Sequence, residues 1–184
     1  MKINVKTKTI LPLALALLSI VIFVLMIVKN EHHLNNAQSV YVRLQPVDPR
    51  SILQGDYMAL NYDLGLEGVD EEQIENHAQV KSYVQLDAQH RVIKTRFDAQ
   101  QIAGELSKPV PLILKNPDNL LDRLYPAANS FLFAEGLEPC YRNAQYAHLS
   151  VKADGQTLLL GLVDQNLKSL NCESQKQWKE GNAI

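Results

Sequence analysis

The chain has 184 residues, of which 46% are hydrophobic and 21% charged, a composition that excludes bulk disorder. The formal net charge is -2 and the sequence holds no run of lysine or arginine, so the basic patch of a nucleic-acid-binding protein is not expected. Two cysteines are too few for a disulfide scaffold or a four-cysteine zinc site.

The first predicted element is an apolar segment at residues 10–28, which carries no charged side chain. As a helix it would extend about 28 Å, close to the thickness of the hydrocarbon core of a bilayer. A cleaved signal peptide is the alternative to a retained transmembrane anchor. The sequence favours the anchor, because the run exceeds the usual apolar length of a signal peptide and no A-x-A-like cleavage site follows.

Flanking charge predicts the orientation of this anchor. Three lysines lie within residues 1–9, whereas Lys29 after the apolar run is offset by Glu31. The positive-inside rule then places the N-terminus in the cytoplasm and the body outside the inner (cytoplasmic) membrane. After residue 29 there are 14 lysines and arginines against 20 aspartates and glutamates. The body is therefore acidic and is expected to stand off an anionic membrane surface.

The predicted organisation has five parts, and its two cysteines fall in the last two. In an extracytoplasmic body, a bridge between Cys140 and Cys172 would close a loop of about 30 residues and stabilise the fold by roughly 3–4 kcal/mol. Two separate thiols are the alternative, and the absence of C-x-x-C argues against a redox catalyst. The parts are a cytoplasmic N-terminus (1–9), the anchor (10–28), a linker (29–37), a β-rich domain (38–170) and a polar tail (171–184).

Alternation of apolar and polar residues predicts short strands along most of the body. The two most C-terminal strands read as a hairpin, because Asp154-Gly155 between them suits a type I′ turn. In the strand at 91–97, alternation places Ile93 and Phe97 on one face with Thr95 between them. The predicted strands are residues 40–45, 56–63, 79–86, 91–97, 110–114, 131–134, 146–153 and 157–163.

Two short helices are predicted between these strands. One has Asp70 as its N-cap, with Val69 and Ile74 at the spacing of a hydrophobic staple. The other begins at Asn116, with Pro117 as its first helical residue. The predicted fold class is α+β and β-dominated: an antiparallel sheet or sandwich-like extracytoplasmic domain with two short helices, preceded by one N-terminal transmembrane helix.

The segment GDYMALNY at residues 55–62 resembles the signature of the bacterial GDYXXLXY protein family. The runs PVDPRSILQGDY, FLFAEG and VKADGQTLLLGL resemble further segments of that family, so the similarity covers most of the chain. YAHLS at 146–150 departs from it, because charged residues are expected there in relatives. The resemblance implies a membrane-anchored protein without an assigned activity, in an accessory role beside a multi-spanning membrane protein. The matching signature positions are Gly55, Asp56, Tyr57, Leu60 and Tyr62.

Polar residues gather around the signature, and they allow two interpretations. As a binding site, Arg50 would hold a carboxylate or phosphate, Asp48 or Asp56 would act as acid or base, and Glu135 would join from another strand. As structure, the carboxylates would accept backbone N–H groups of a turn and Arg50 would form an ion pair. The sequence favours the structural interpretation, because turn chemistry accounts for every residue. The cluster comprises Asp48, Arg50, Ser51, Asp56 and Tyr57.

Other catalytic and metal sites have little support in the sequence. A serine nucleophile at Ser51 with Lys81 as its base would require a buried neutral amine, but Lys81 alternates with apolar residues and should face solvent. The histidines show no metal-ligand spacing, and no cofactor is predicted. These histidines are His32, His33, His77, His90 and His148.

The leading functional hypothesis is a non-enzymatic, membrane-tethered accessory domain that binds a multi-spanning membrane protein. Tyr41 and Tyr57 are expected to be exposed and to contact that partner, since both alternate away from apolar faces. The alternative is a small-ligand-binding or peptide-binding module, or an enzyme, built on the Asp48, Arg50, Asp56 and Glu135 cluster.

Overall fold

A computed structural model describes residues 5–45, 50–52, 55–69, 71–101 and 108–175. The chain divides into two compact units, Met1–Ala37 and Gln38–Ile184. The first unit contains helix α1 (Val5–Asn36). Within the described residues, the second unit contains ten strands and the one-turn helix α2 (Glu138–Tyr141).

Helix α1 is apolar around its whole circumference over its middle part. Its large apolar side chains from Leu13 to Val28 are 45–66% exposed. Among the described residues, no helix is both long enough and apolar enough to cross a membrane, so the transmembrane span predicted at 10–28 is not supported there. The helix continues to Asn36 and includes most of the predicted linker, whose residues contain neither glycine nor proline to end it.

The ten strands form three antiparallel sheets, named here A, B and C. Their order in each sheet follows. Sheet A contains β10 (Thr157–Val163), β9 (Tyr146–Val151), β1 (Gln38–Gln45) and β4 (Asn61–Asp63). Sheet B contains β2 (Arg50–Ile52), β3 (Gly55–Ala59) and β8 (Ser130–Phe133). Sheet C contains β6 (Val92–Arg96), β5 (Gln79–Leu86) and β7 (Val110–Lys115).

The core lies where the inward faces of these sheets meet. In β1, Val40 and Val42 are fully buried while Ser39 and Arg43 are not, which confirms the alternation read from the sequence. Strand β5 behaves in the same way and has the predicted bounds. Both predicted hairpins are present, and the antiparallel, β-rich fold class is confirmed.

The predicted strand at 56–63 is two strands in different sheets. Strand β3 pairs with β2 and β8, whereas β4 pairs with β1. The break falls at Leu60, whose backbone N–H donates to the carbonyl of Asn129 at 2.8 Å instead of to a sheet partner. The alternation nevertheless survives the break, because Met58, Leu60 and Tyr62 are all buried.

The helix predicted from Asn116 is wrong: the segment contains only a 3-10 turn at Leu121–Arg123. Asn116 is 3% exposed, and its side-chain amide donates to the carbonyl of Ile74 at 2.8 Å and to that of His77 at 3.1 Å. Asn119 has a positive φ of 55°, which interrupts a helix. The tertiary hydrogen bonds of one buried amide therefore replace the helical ones.

The other predicted helix is reduced to the single 3-10 turn Glu71–Gln73. Ile74, predicted as part of its staple, is fully buried. Helix α2 begins with Glu138-Pro139 and was not predicted, because four residues are too few to show a helical period. Short helical turns of this kind are fixed by the surrounding packing.

Alternation fails in β6, where a bulge reverses one side chain. Leu86 pairs with Val92 and Gln85 pairs with Lys94, so Ile93 is the extra residue. Ile93 is 55% exposed although the sequence placed it on the apolar face with Phe97. The buried residue of this strand is Thr95, whose hydroxyl donates to the carbonyl of Leu64.

The predicted disulfide is present. Cys140 in α2 is bonded to Cys172, with their Cα atoms 5.8 Å apart. Cys172 is 1% exposed and begins the 3-10 turn Cys172–Gln175. The first part of the predicted polar tail is therefore joined covalently to the body.

Candidate functional site

Two of the five signature positions have a structural role at the crossing between sheets A and B. Leu60 and Tyr62 are each 7% exposed and belong to the core. The Tyr62 hydroxyl donates to the carbonyl of Ala128 at 2.7 Å. Burial raises the pKa of Tyr62 far above its usual value, although the hydrogen bond to Ala128 acts in the opposite direction. The hydroxyl therefore stays a donor.

The third signature residue, Tyr57, lies on the central strand of sheet B and is half-buried. It is directly opposite Arg50 on β2 and Leu132 on β8. Leu132 is 77% exposed, the highest exposure among the large hydrophobic side chains of the described residues. Since residues directly opposite in an antiparallel pair share a face, Tyr57 and Leu132 together form an exposed pair on sheet B.

The polar cluster predicted around the signature is placed on sheet B as far as the structure describes it. Asp48 lies outside the described residues. Arg50 and Asp56 belong to the hairpin of β2 and β3, and Asp56 is opposite Phe133 on β8. Glu135 is exposed and lies two residues beyond Phe133. The side chains of Arg50 and Asp56 are outside the described part, so the pocket formed by this cluster stays a prediction.

The serine–lysine arrangement is not supported. Ser51 belongs to β2 of sheet B, whereas Lys81 belongs to β5 of sheet C, opposite Ile113. Lys81 is exposed, with its Nζ 5.6 Å from the centre of the Tyr83 ring. The burial required to keep a lysine amine neutral is absent at Lys81.

A second cluster, on the outer face of sheet A, was not identified from the sequence. The rings of Tyr41 and His148 are stacked with their centres 4.7 Å apart. His148 Nε2 lies 3.1 Å from Ser39 Oγ. Burial lowers the pKa of His148, so the neutral imidazole is favoured. Tyr41, expected to be free for a partner, is half-buried in this stack.

The cluster joins a segment, residues 146–150, that departs from the family pattern. Strand β9 lies between β10 and β1, and His148 is directly opposite Tyr41 on β1 and Gly161 on β10. The only sequence signal was that Tyr41 alternates with buried valines. Pairing of β1 with β9 at this register is long-range, so the sequence did not predict the contact.

A shallow groove of about 590 Å³ borders this cluster. Its wall includes the aromatic rings of Phe131 and Tyr141, whose centres are 5.2 Å apart, and the disulfide at Cys172. Burial raises the pKa of the Tyr141 hydroxyl, and the neighbouring Glu173 carboxylate adds to that increase. Within the described residues, no three histidine, cysteine, aspartate or glutamate side chains converge as metal ligands.

These observations define a β-rich domain of three small antiparallel sheets, in which a G-D-Y-x-x-L-x-Y segment crosses from one sheet to the next. A family model described as GDYXXLXY protein matches residues 19–162. That range covers more than half of the chain, and the protein belongs to the GDYXXLXY family. No curated protein and no solved structure matches the chain.

Proposed function

We propose that this GDYXXLXY protein is a membrane-tethered accessory domain without enzymatic activity, which binds a multi-spanning membrane protein. Its N-terminus would lie in the cytoplasm and its body outside the inner membrane. The observation that carries the proposal is the exposed pair Tyr57 and Leu132 beside the signature strand.

The tether is supported by the sequence and by the helicity of one segment. Residues 10–28 carry no charge and are helical throughout as part of α1. A helix that is apolar on every side is typical of a membrane span, and this one would extend about 28 Å. The lysines of residues 1–9 favour a cytoplasmic N-terminus. The bond between Cys140 and Cys172 favours an oxidising compartment for the body.

The exposed pair suits a protein interface better than a free surface. Burying a leucine side chain is worth about 1.5–3 kcal/mol relative to leaving it in water. Leu132 forgoes most of that gain, and it lies on an edge strand next to a half-buried tyrosine. Tyrosine is enriched in interface centres, and exposed edge strands are normally protected. A partner covering this part of sheet B would account for both features.

The choice of a multi-spanning membrane protein as partner rests on the family resemblance and on the proposed tether. A tethered domain meets proteins of its own membrane at a high effective concentration. An interface of modest size is therefore sufficient for a stable complex, which fits a surface centred on one leucine and one tyrosine.

The test is cross-linking in intact membranes, followed by extraction of the full chain in mild detergent and identification of bound proteins by mass spectrometry. We expect one stoichiometric multi-spanning partner, lost in Leu132→Asp. Leu158→Asp is the matched control, because Leu158 is an exposed leucine on an edge strand of a different sheet. Equal recovery from both variants, or recovery of no such partner, would refute the proposal.

A small-ligand-binding or enzymatic role for the polar cluster is the second candidate. It is favoured by the register of sheet B, which places Arg50 and Asp56 in one hairpin and Glu135 two residues beyond the strand opposite. Absence of a protein partner, together with a ligand whose binding is lost in Arg50→Ala, would favour this function instead.

A further inference from the structure

The outer face of sheet C is basic although the body as a whole is acidic. Four cationic side chains lie on this face, whereas the alternating residues Val80, Ser82 and Val84 are buried on the other side. We call this surface the basic face. It consists of Lys81 on β5, Lys94 and Arg96 on β6, and Lys115 on β7.

Strand pairing fixes these cations on one surface. Tyr83 is opposite Arg96 on β6 and Pro111 on β7, and Lys81 is opposite Ile113. Residues directly opposite one another share a face, so the cations surround a strip of half-buried apolar side chains. Lys81 Nζ lies 5.6 Å from the centre of the Tyr83 ring at the middle of the strip.

The acidic residues of the body are few on this surface. Glu67 accepts ion pairs from Lys94 at 3.0 Å and Arg96 at 3.3 Å. Lys81 and Lys115 make no ion pair with any described residue; Lys115 Nζ donates to the carbonyl of Ala127 at 2.7 Å. The basic face therefore has four positive charges against one carboxylate.

Asp98 lies just beyond the end of β6, and its carboxylate accepts the backbone N–H of Gln100. That hydrogen bond holds the carboxylate at the turn after the strand. At physiological salt, charges farther than about 8 Å are largely screened, so distant acidic residues do little to offset the basic face.

We propose that the basic face binds the anionic phospholipid headgroups of a bilayer. This inference rests on the proposed membrane tether. It also revises the expectation that the acidic body stands off the membrane, because total charge does not describe a surface on which one sign predominates.

The magnitude of the attraction favours a membrane as the occupant. Each basic residue near an anionic surface gains about a fivefold preference, so a net excess of three gives roughly a hundredfold. That is too weak to capture a dilute soluble anion. It is sufficient for a tethered domain, whose effective concentration at the bilayer is in the millimolar range. Tyr83 among the lysines is also typical of side chains at the headgroup level.

The test measures the acetylation rate of individual lysines by mass spectrometry, with the full chain in lipid nanodiscs. One preparation contains phosphatidylcholine alone, and the other contains phosphatidylcholine with phosphatidylglycerol. We expect Lys81 and Lys115 to react severalfold more slowly in the anionic nanodiscs, and high salt to remove the difference. Lys152 and Lys168 serve as internal controls, since they lie outside sheet C, and their rates should not change.

A charge-reversed protein adds a second readout. In Lys81→Glu combined with Lys115→Glu, the lipid-dependent protection of Lys94 should disappear. The matched variant with Lys152→Glu and Lys168→Glu should keep that protection. Equal acetylation of the basic face in both lipids, or equal slowing of every lysine, would overturn the inference.

Alkaline extraction distinguishes this failure from failure of the tether. A chain that resists extraction but shows unprotected Lys81 and Lys115 would refute only the lipid contact. A chain released by alkali would refute the tether and the lipid contact together. Protection in native membranes but not in anionic nanodiscs would assign the face to an acidic protein segment and overturn the lipid proposal.

Discussion

Removing one hydroxyl from the signature tests whether Tyr62 is structural. In Tyr62→Phe the ring keeps its buried position, but the hydrogen bond to the carbonyl of Ala128 at 2.7 Å is lost. An unsatisfied buried acceptor costs about 1–3 kcal/mol. Because Ala128 is half-buried and water can reach its surroundings, we expect the lower end of that range, about 1 kcal/mol. For a domain of this size, the midpoint of thermal unfolding should fall by about 2–4 °C.

The same variant should change the dependence of stability on alkaline pH. Burial raises the pKa of Tyr62 above its ordinary value of 10.0, so the unfolded chain ionises first. The stabilisation is complete below pH 10 and is lost as the pH rises further. We therefore expect the wild-type protein to lose stability above pH 10 more steeply than Tyr62→Phe does.

The assay is denaturant unfolding of the full chain in mild detergent, followed by near-ultraviolet circular dichroism at several pH values. Tyr57→Phe is the matched control: it removes a hydroxyl from the same signature, but from a half-buried ring with no hydrogen bond to a described residue. That control should change stability by less than about 0.5 kcal/mol. Equal effects of the two substitutions, or an unchanged alkaline slope in Tyr62→Phe, would refute the structural role.

Three further outcomes test the tertiary structure of the body. Reducing the bond between Cys140 and Cys172, which are 32 residues apart, should lower the free energy of unfolding by roughly 3–4 kcal/mol; identical denaturation curves with and without reductant would contradict this. Burial lowers the pKa of His148 below 6.5, so its contribution to stability is complete above pH 6.5 and is lost as the pH falls. His148→Phe, which keeps the ring, should flatten that acid dependence in a pH titration of the unfolding midpoint. Gly65→Ala should lose about 1–3 kcal/mol more than Gly68→Ala in the same assay, because both have positive φ but only at Gly65 would a Cβ lie 2.7 Å from a backbone oxygen; equal losses would exclude that clash.

The strands with regular alternation could be predicted from the sequence, often to the residue. Strand β5 has its predicted bounds, and the valines of β1 are buried as the pattern indicated. The turn at Asp154-Gly155 was also recognisable, and Gly155 has the positive φ that it requires. These features depend on residues near in sequence, so a local pattern is enough to predict them.

The candidate site was less predictable, because its residues come together through long-range pairing. The signature tyrosine at position 57 was identified, but its exposed neighbour Leu132 is on β8, far along the chain. The stack of Tyr41 on His148 depends in the same way on the register of β1 against β9. Alternation gives the face of a residue within its strand and says nothing about which strand lies beside it.

Sequence by itself determined the apolar N-terminal segment, the acidic balance of the rest, most of the strands and membership of the signature family. Tertiary structure decided where those local preferences gave way. The strand at 56–63 breaks at Leu60 because its two halves pair in different sheets. The helix at Asn116 is absent because the buried amide is bonded to carbonyls from a distant turn. The basic face exists only because three strands pair in one register, which gathers cations that the sequence disperses among acidic residues.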